Sequence, residues 1–368
     1  MNANTNGIKT IAYYLPQYHP IPENDEWWGK GFTEWTNVAK AKPLFKGHVQ
    51  PFLPGDLGFY DLRVPEVREA QAQLAKDAGL YGFCYWHYWF GGGKQLLERP
   101  INEVISSGKP DFPFCLAWAN ESWSGRWHGL HDKVLATQEY LGEHDFEQFF
   151  NSCLPAFQDK RYIREGGKLL FSIYQPFGSP LIPEFIKQWH NLAEKNSLGG
   201  FHFNAINARA NALKLGFDSY TSGTPRSKQA NNFFNRLSLK HFNIRISDLI
   251  RNFPHQGPAI YNYKDVVAEH LNKPIPDKEI PVILTNWDNT PRSGRAGIVC
   301  ESASSEQFEL YLKKAFAAVS ANPNTSQIVF IKSWNEWAEG NVMEPSRLHG
   351  NSYLQALKSV TQQHKNNN

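Results

Sequence analysis

Short β-rich runs alternating with amphipathic helical patterns constrain this 368-residue chain more than any other feature. That order predicts parallel strands joined by right-handed crossovers. About eight such runs can be read. The first is Thr10 to Leu15 and the second Tyr81 to His87. Between them, Pro65 to Ala78 carries Val67, Ala70, Leu74 and Ala78 at helical spacing, with Gly79 as the stop. Phe112 to Trp118 is the third strand, and the acidic turn of Glu143 and Asp145 favours the start of a helix from Phe146 to Phe157. Leu169 to Tyr174 is the fourth; a helix from Pro183 to Lys195 leads to the fifth, Phe201 to Ile206, and Phe217 to Thr221 is the sixth. The seventh strand, Pro281 to Trp287, precedes a helix from Ser305 to Ser320. The eighth, Ile328 to Trp334, precedes a last helix near Ser352 to Gln362. From about 223 to 263 the chain is rich in Asn, Phe, Arg and His without steady period, which reads as a long loop insertion and not a second domain. The expectation is an α/β fold, a single (β/α)8 TIM barrel over residues 1–368 with long loop insertions.

Composition removes several function classes. Hydrophobic residues make up 41% and charged residues 20%, which is globular and not disordered. Net charge is +3 with a pI near 8.5, and no block of lysines and arginines forms a phosphate-tracking stripe, so no nucleic-acid partner is expected. No segment approaches the roughly 20 apolar residues that span a bilayer. The four cysteines form no CxxC pair, and three lie in or beside apolar segments, where buried free thiols are expected. Met1 to Thr10 is polar, without a basic region followed by an apolar run, so the expected location is cytoplasmic. The oligomeric state is not fixed by any of this.

Active sites of such barrels sit at the C-terminal ends of the strands, and the segments there are polar and aromatic. They read Tyr14, Gln17 and His19; Trp86, His87, Tyr88 and Trp89; Asn120, Glu121 and Trp123; Tyr174 and Gln175; Asn286, Trp287 and Asp288; then Asn335, Glu336 and Glu339. A 14% aromatic share, with 12 Trp and 15 Tyr, suits a groove that stacks on sugar faces, so a carbohydrate partner is expected. Glycoside hydrolysis usually needs two carboxyl groups flanking the scissile bond. In Trp334-Asn335-Glu336-Trp337-Ala338-Glu339-Gly340 two glutamates lie three positions apart. On a helical turn this spacing brings Cβ atoms to roughly 5–6 Å. Like charges that close raise one pKa, giving a protonated acid beside an ionised partner.

At these residues the chain resembles the WbsX-type proteins of bacterial polysaccharide gene clusters, which are related to glycoside hydrolase family 99. The resemblance covers most of the chain. It runs through Tyr14 to Val38, Gly82 to Trp89, Trp118 to Glu121, Trp287 to Thr290 and Trp334 to Gly340. It implies a (β/α)8 barrel and the glutamate roles of family 99, whose motif has the same Glu-Trp-x-Glu-Gly spacing. By that carry-over Glu336 takes the proton from the sugar O2, which attacks C1 to give a 1,2-anhydro intermediate. Glu339 protonates the leaving oxygen and then activates water. The expectation is thus a retaining, endo-acting glycosidase without a cofactor.

Each assignment has a blander competitor. Glu336 and Glu339 can be read as a solvated pair at a helix start, but tryptophans flank them at a strand end. Trp86 can be barrel packing instead of a sugar platform; Trp287 and Trp334 are the better platforms because polar residues follow at once. Asn120 and Tyr174 stand as sugar contacts, and Glu121 as either a contact or a supporting partner. No metal site is expected, because His19 and His87 lack HExxH or HxH spacing. Glu23 to Trp35 reads as a rigid loop stiffened by Pro16, Pro20 and Pro22, capping the barrel mouth with Glu34 and Trp35 facing the sugar. The alternative function is a glycosyltransferase or transglycosylase of surface-polysaccharide (O-antigen) synthesis. Against it, there is no Asp-x-Asp pair and no Gly-rich loop opening a helix to hold a diphosphate.

Overall fold

Residues 7–124, 134–222, 257–271 and 274–367 are described by the computed structural model. Eight parallel strands form its central sheet: β1 (Lys9–Tyr14), β2 (Gly82–Trp89), β3 (Phe114–Trp118), β4 (Lys168–Ile173), β5 (Phe201–Ala205), β6 (Ser219–Tyr220), β7 (Val282–Leu284) and β8 (Ile328–Lys332). Their spatial order is β6-β5-β4-β3-β2-β1-β8-β7, the sequential order of a barrel. Two backbone hydrogen bonds join β6 to the segment leading into β7: the Tyr220 N–H donates to the Lys278 carbonyl at 3.1 Å, and the Tyr220 carbonyl accepts from the Ile280 N–H at 2.8 Å. The expected (β/α)8 architecture is therefore present, with each strand displaced only at its ends.

Strands that are covered on both faces read as unbroken apolar runs, and β8 is such a run, with Ile328 to Ile331 fully buried. The two-residue period still divides each strand between the interior of the barrel and the helix layer. Tyr13 of β1 stacks on Trp86 of β2 and on Phe330 of β8, both at 5.0 Å between centroids, filling the interior. Its neighbour Tyr14 points the other way and donates its hydroxyl to Gln71 at 2.7 Å, outside the ring.

The helices are α1 (Pro22–Trp28), α2 (Glu34–Lys40), α3 (Pro65–Asp77), α4 (Arg99–Ser107), α5 (Glu143–Phe157), α6 (Ile182–Lys195), α7 (Tyr263–Leu271), α8 (Thr290–Ser293), α9 (Ser305–Ala321) and α10 (Ser352–Asn367). Between β3–β5 and the pair α5–α6 lies an aromatic layer centred on the fully buried Trp189, with Phe185 at 4.4 Å and Phe171 at 4.8 Å. Such rings bury the most apolar area per residue, so this wall contributes heavily to stability.

Three local expectations need correction. The stretch Glu23 to Trp35 is not a loop, because α1 and the start of α2 lie within it. Pro22 takes the first helical position of α1, where its missing N–H costs nothing, and Thr33 begins α2 by donating its N–H to the Thr36 hydroxyl at 3.3 Å. Helix α4, with Pro100 in its first turn and Gly108 at φ 71 as its stop, had no counterpart in the sequence pattern. Of the expected insertion, 223–256 lies outside the described residues, but its end is regular: Ala259–Asn262 pairs in parallel with Ile298–Glu301, and Tyr263 opens α7.

Gly82 begins β2 where a Cβ would lie 2.5 Å from the Pro113 carbonyl oxygen and 2.8 Å from Ile163 Cδ1. Gly82→Ala should therefore destabilise the protein by about 1–3 kcal/mol, read as a lower urea midpoint with an unchanged slope.

Candidate active site

The chain leaves β8 in a tight reversal that is tied to the rest of the ring at several points. The Trp334 N–H donates to the Tyr13 carbonyl at 2.8 Å, and the Asn335 amide clamps Leu15, accepting from its N–H at 2.8 Å and donating to its carbonyl at 3.0 Å. Asn335–Glu336 pairs antiparallel with Asn341–Val342, and the intervening Trp337–Glu339 forms one 3-10 turn. Gly340 closes the turn at φ 66, and a Cβ there would lie 3.0 Å from the Asp288 backbone nitrogen. Both demands select glycine. Beneath the turn, the buried Glu344 carboxylate accepts from the Trp337 indole at 2.7 Å, Gln71 at 2.6 Å and the Tyr60 hydroxyl at 2.8 Å. Trp337, which follows Glu336, is thereby pinned inward.

One cation organises the space above the turn. Arg292 of α8 donates from Nη2 to Glu336 at 2.9 Å, from Nη1 to Glu339 at 2.6 Å and from Nε to Glu34 of α2 at 2.7 Å. Asn341 also donates to Glu339 at 3.3 Å. Burial, then the nearby Glu339 charge, pushes the Glu336 carboxyl up to about 7, against the pull of Arg292. A group with that value exchanges a proton near neutrality, as acid–base catalysis requires. Glu121, after β3, keeps an exposed surface, yet the protein packed around it withholds solvent and raises its carboxyl, with Glu339 adding to the effect.

Other expected contacts gather at the same end of the ring. Tyr88 is buried, and burial followed by the Glu336 charge pushes its hydroxyl up. Trp86 and Tyr174 meet edge to face at 5.7 Å, and both are half-buried. Trp287 is half-buried beneath the Lys332 ammonium, 4.4 Å from its ring centre. Gln17 is half-buried, and its carbonyl accepts the Glu34 N–H at 3.0 Å.

Several expected contacts are engaged elsewhere, which corrects their assignment. Tyr14 lies outside the ring on Gln71. His87 also faces the helix layer, 3.7 Å from Cys153 and stacked on Phe149, and burial lowers its pKa to about 4. Trp334 is 0% exposed and packs on Phe83, so it offers no platform. Asn335 is consumed by Leu15. Trp35 donates to the Tyr60 carbonyl at 2.8 Å and packs against Tyr18 and Trp337, under the turn. Asn120 holds the Gln175 backbone by both its amide atoms, at 2.9 and 2.7 Å. The Asp288 carboxylate is filled by His48 at 2.8 Å, Gln50 at 2.6 Å and the Thr290 hydroxyl at 2.6 Å. Among the described residues no three His, Cys, Asp or Glu side chains converge as a metal site, and no helix is long and apolar enough to cross a membrane.

The profile of the family described as Glycosyltransferase WbsX matches residues 10–357. The chain belongs to the WbsX family. It is 36% identical over 354 residues to a protein described as uncharacterized protein WxcX from Xanthomonas campestris pv. campestris, strain B100, and equally to its counterpart in strain ATCC 33913. The alignment covers 95% of this chain and 49% of either relative, so the chain spans about half the length of the curated relatives it matches. Among solved structures, a GH99 endo-alpha-mannosidase from Bacteroides thetaiotaomicron superposes with a TM-score of 0.55 at 15% identity, covering 97% of both chains. A glycoside hydrolase-like protein gives 0.57 at 13% identity, covering 98% of this chain and 95% of its own. At such identities the likeness is one of fold.

In this WbsX-family chain the residue that local reading missed is Arg292. It lies two positions past Thr290, the last residue of a block that already stood out, but an arginine beside a proline in a loop looks like ordinary surface. Its partners are 44, 47 and 258 positions away, so no local signal marks it.

The raised Glu336 value carries a stability prediction. Unfolded, this carboxyl ionises near the ordinary 4.5, whereas folded it holds its proton to about 7. Its contribution is therefore full below the unfolded value and is lost as pH rises through the folded one. Glu336→Gln should flatten that loss: its Tm at pH 8 should equal or exceed that of the wild type, with the advantage gone at pH 4. Calorimetry across pH checks this, and a variant less stable at pH 8 than at pH 4 relative to wild type contradicts it.

Proposed function

We propose that the protein is a retaining glycoside hydrolase that cleaves polysaccharide or oligosaccharide chains with participation of the sugar O2. The observation that carries this reading is the pair Glu336 and Glu339, on one turn at the C-terminal end of β8, sharing a single guanidinium. Membership of the WbsX family and the fold shared with GH99 enzymes support it.

The chemistry closes with one proton on the pair, which must pass from Glu336 to Glu339 before the glycosidic bond breaks. Ionised Glu336 takes the proton of the sugar 2-hydroxyl as O2 forms a bond to C1. The bond from C1 to the leaving oxygen breaks, and that oxygen takes the proton of Glu339. Water then gives a proton to Glu339 and attacks C1, while O2 recovers its proton from Glu336. Two displacements at C1 retain the anomeric configuration. A Glu336 value near neutrality lets it serve as base in the first step and return the proton in the second. Half-buried Trp86, Tyr174 and Trp287 offer ring surface to the sugar.

The family description favours a second reading, glycosyl transfer. It predicts binding of a nucleoside diphosphate sugar, detected as heat in calorimetry and as protection against thermal unfolding. Hydrolysis predicts neither.

Against a panel of mannans, rhamnans and fucans, the wild type should release products whose anomers, followed by NMR, match those of the cleaved bond. Glu336→Gln and Glu339→Gln should each lower turnover by at least about 10³-fold with the fold intact. Inverted products, or undiminished turnover in both variants, would sink the assignment.

A further inference from the structure

A cation ion-paired to three carboxylates is not a receptor for an anionic group. Arg292 faces Glu34, Glu336 and Glu339 at 2.7, 2.9 and 2.6 Å, and an acidic ligand there would meet surplus negative charge. Nor is the arginine a loose surface group. Its guanidinium side chain is only 18% exposed, and its short helix follows Asp288, whose carboxylate is fixed by His48 and Gln50. Glu34, 2% exposed on the capped helix α2, holds Nε at 2.7 Å. That leaves the Nη1 and Nη2 fork aimed at Glu339 and Glu336, one nitrogen to each.

A guanidinium is planar and rigid, so two carboxylates bound to its adjacent nitrogens have their spacing set by the fork, which a lysine cannot do. We propose that Arg292, anchored by Glu34, is the positioning residue that aligns Glu336 with Glu339 and lets the pair share one proton. This rests on the hydrolase reading above. Other charged and titratable groups also face the pair: Lys332 at the end of β8, Tyr88 at the end of β2, Glu121 after β3, and Tyr18 and Lys40 beside Glu34. Among the described residues, Arg292 is the side chain that ion-pairs with both members.

The decisive measurement is the titration of Glu336 itself, followed by carbon-13 NMR of glutamate-labelled protein, with the Glu336→Gln spectrum assigning the signal. Removing a cation in direct contact should raise the midpoint in Arg292→Ala by about one unit. The limb of the pH–rate profile set by Glu336 should move to higher pH by the same amount. Turnover should fall about a hundredfold with KM little changed, and free guanidinium ion should restore part of it. Arg292→Lys, which keeps the charge and loses the fork, covers the case in which Arg292→Ala fails to fold; its kcat should also fall. Glu34→Ala should cost less than Arg292→Ala, and nothing further in the double variant, because Glu34 acts through the arginine.

An unmoved Glu336 midpoint in folded Arg292→Ala, wild-type kcat in Arg292→Lys, or additive losses in the double variant would overturn the proposal. If the wild type cleaves nothing in the panel, the hydrolase reading fails, while the NMR titration still decides whether Arg292 governs the pair.

Discussion

Every strand of a closed parallel ring has two sides, and each side chain must take one. Along β1 the consequence is direct: Tyr13 fills the interior against Trp86 and Phe330, while Tyr14 joins Gln71 in the helix layer. The same alternation along β2 sends Trp86 inward and His87 out to Cys153 and Phe149. A shift of one residue would exchange these sets, so the register of β1 with β2 and β8 determines which aromatic rings face the interior of the barrel. The gathering of the candidate site at one end follows from the parallel order, because parallel strands bring all their C-terminal loops to one rim.

At that rim the arrangement is electrostatic. Two glutamates on a single turn repel each other, and burial makes each charge more costly. The protein offsets this with a guanidinium that contacts both, and steadies the guanidinium with a third, buried carboxylate. Glu344 performs a separate task below: accepting from Trp337, Gln71 and Tyr60, it fixes the turn without facing the cleft. Acidic residues therefore appear in two layers, the Glu336–Glu339 pair at the rim and Glu344 beneath their turn.

Many residues that look suited to sugar are occupied in supporting this rim. Asp288 gathers His48, Gln50 and Thr290, and its N–H donates to the Glu339 carbonyl at 2.7 Å, joining the loop after β7 to the glutamate turn. Asn120 splices the loops after β3 and β4, and Asn335 splices those after β8 and β1. Buried amides and carboxylates of this kind must find partners, and here the partners are neighbouring loops. Polar residues at the ends of barrel strands thus divide between building the rim and facing the cleft.

The sequence by itself determined the eight strands, the long helices and the location of the glutamate pair. Apolar runs, helical periods and stop residues are local properties, and the spacing of Glu336 and Glu339 is too. Short capped helices such as α2 and α4 escaped, because seven to nine residues give too few turns for a period to emerge. Only the tertiary structure decided which face Tyr14, His87 and Trp334 take, because an apolar run buried on both sides carries no mark of inside and outside. It alone brought Glu34 and Arg292, 258 positions apart, to the same pair of carboxylates. Contacts between loops depend on how the ring closes, and no window of sequence contains that closure.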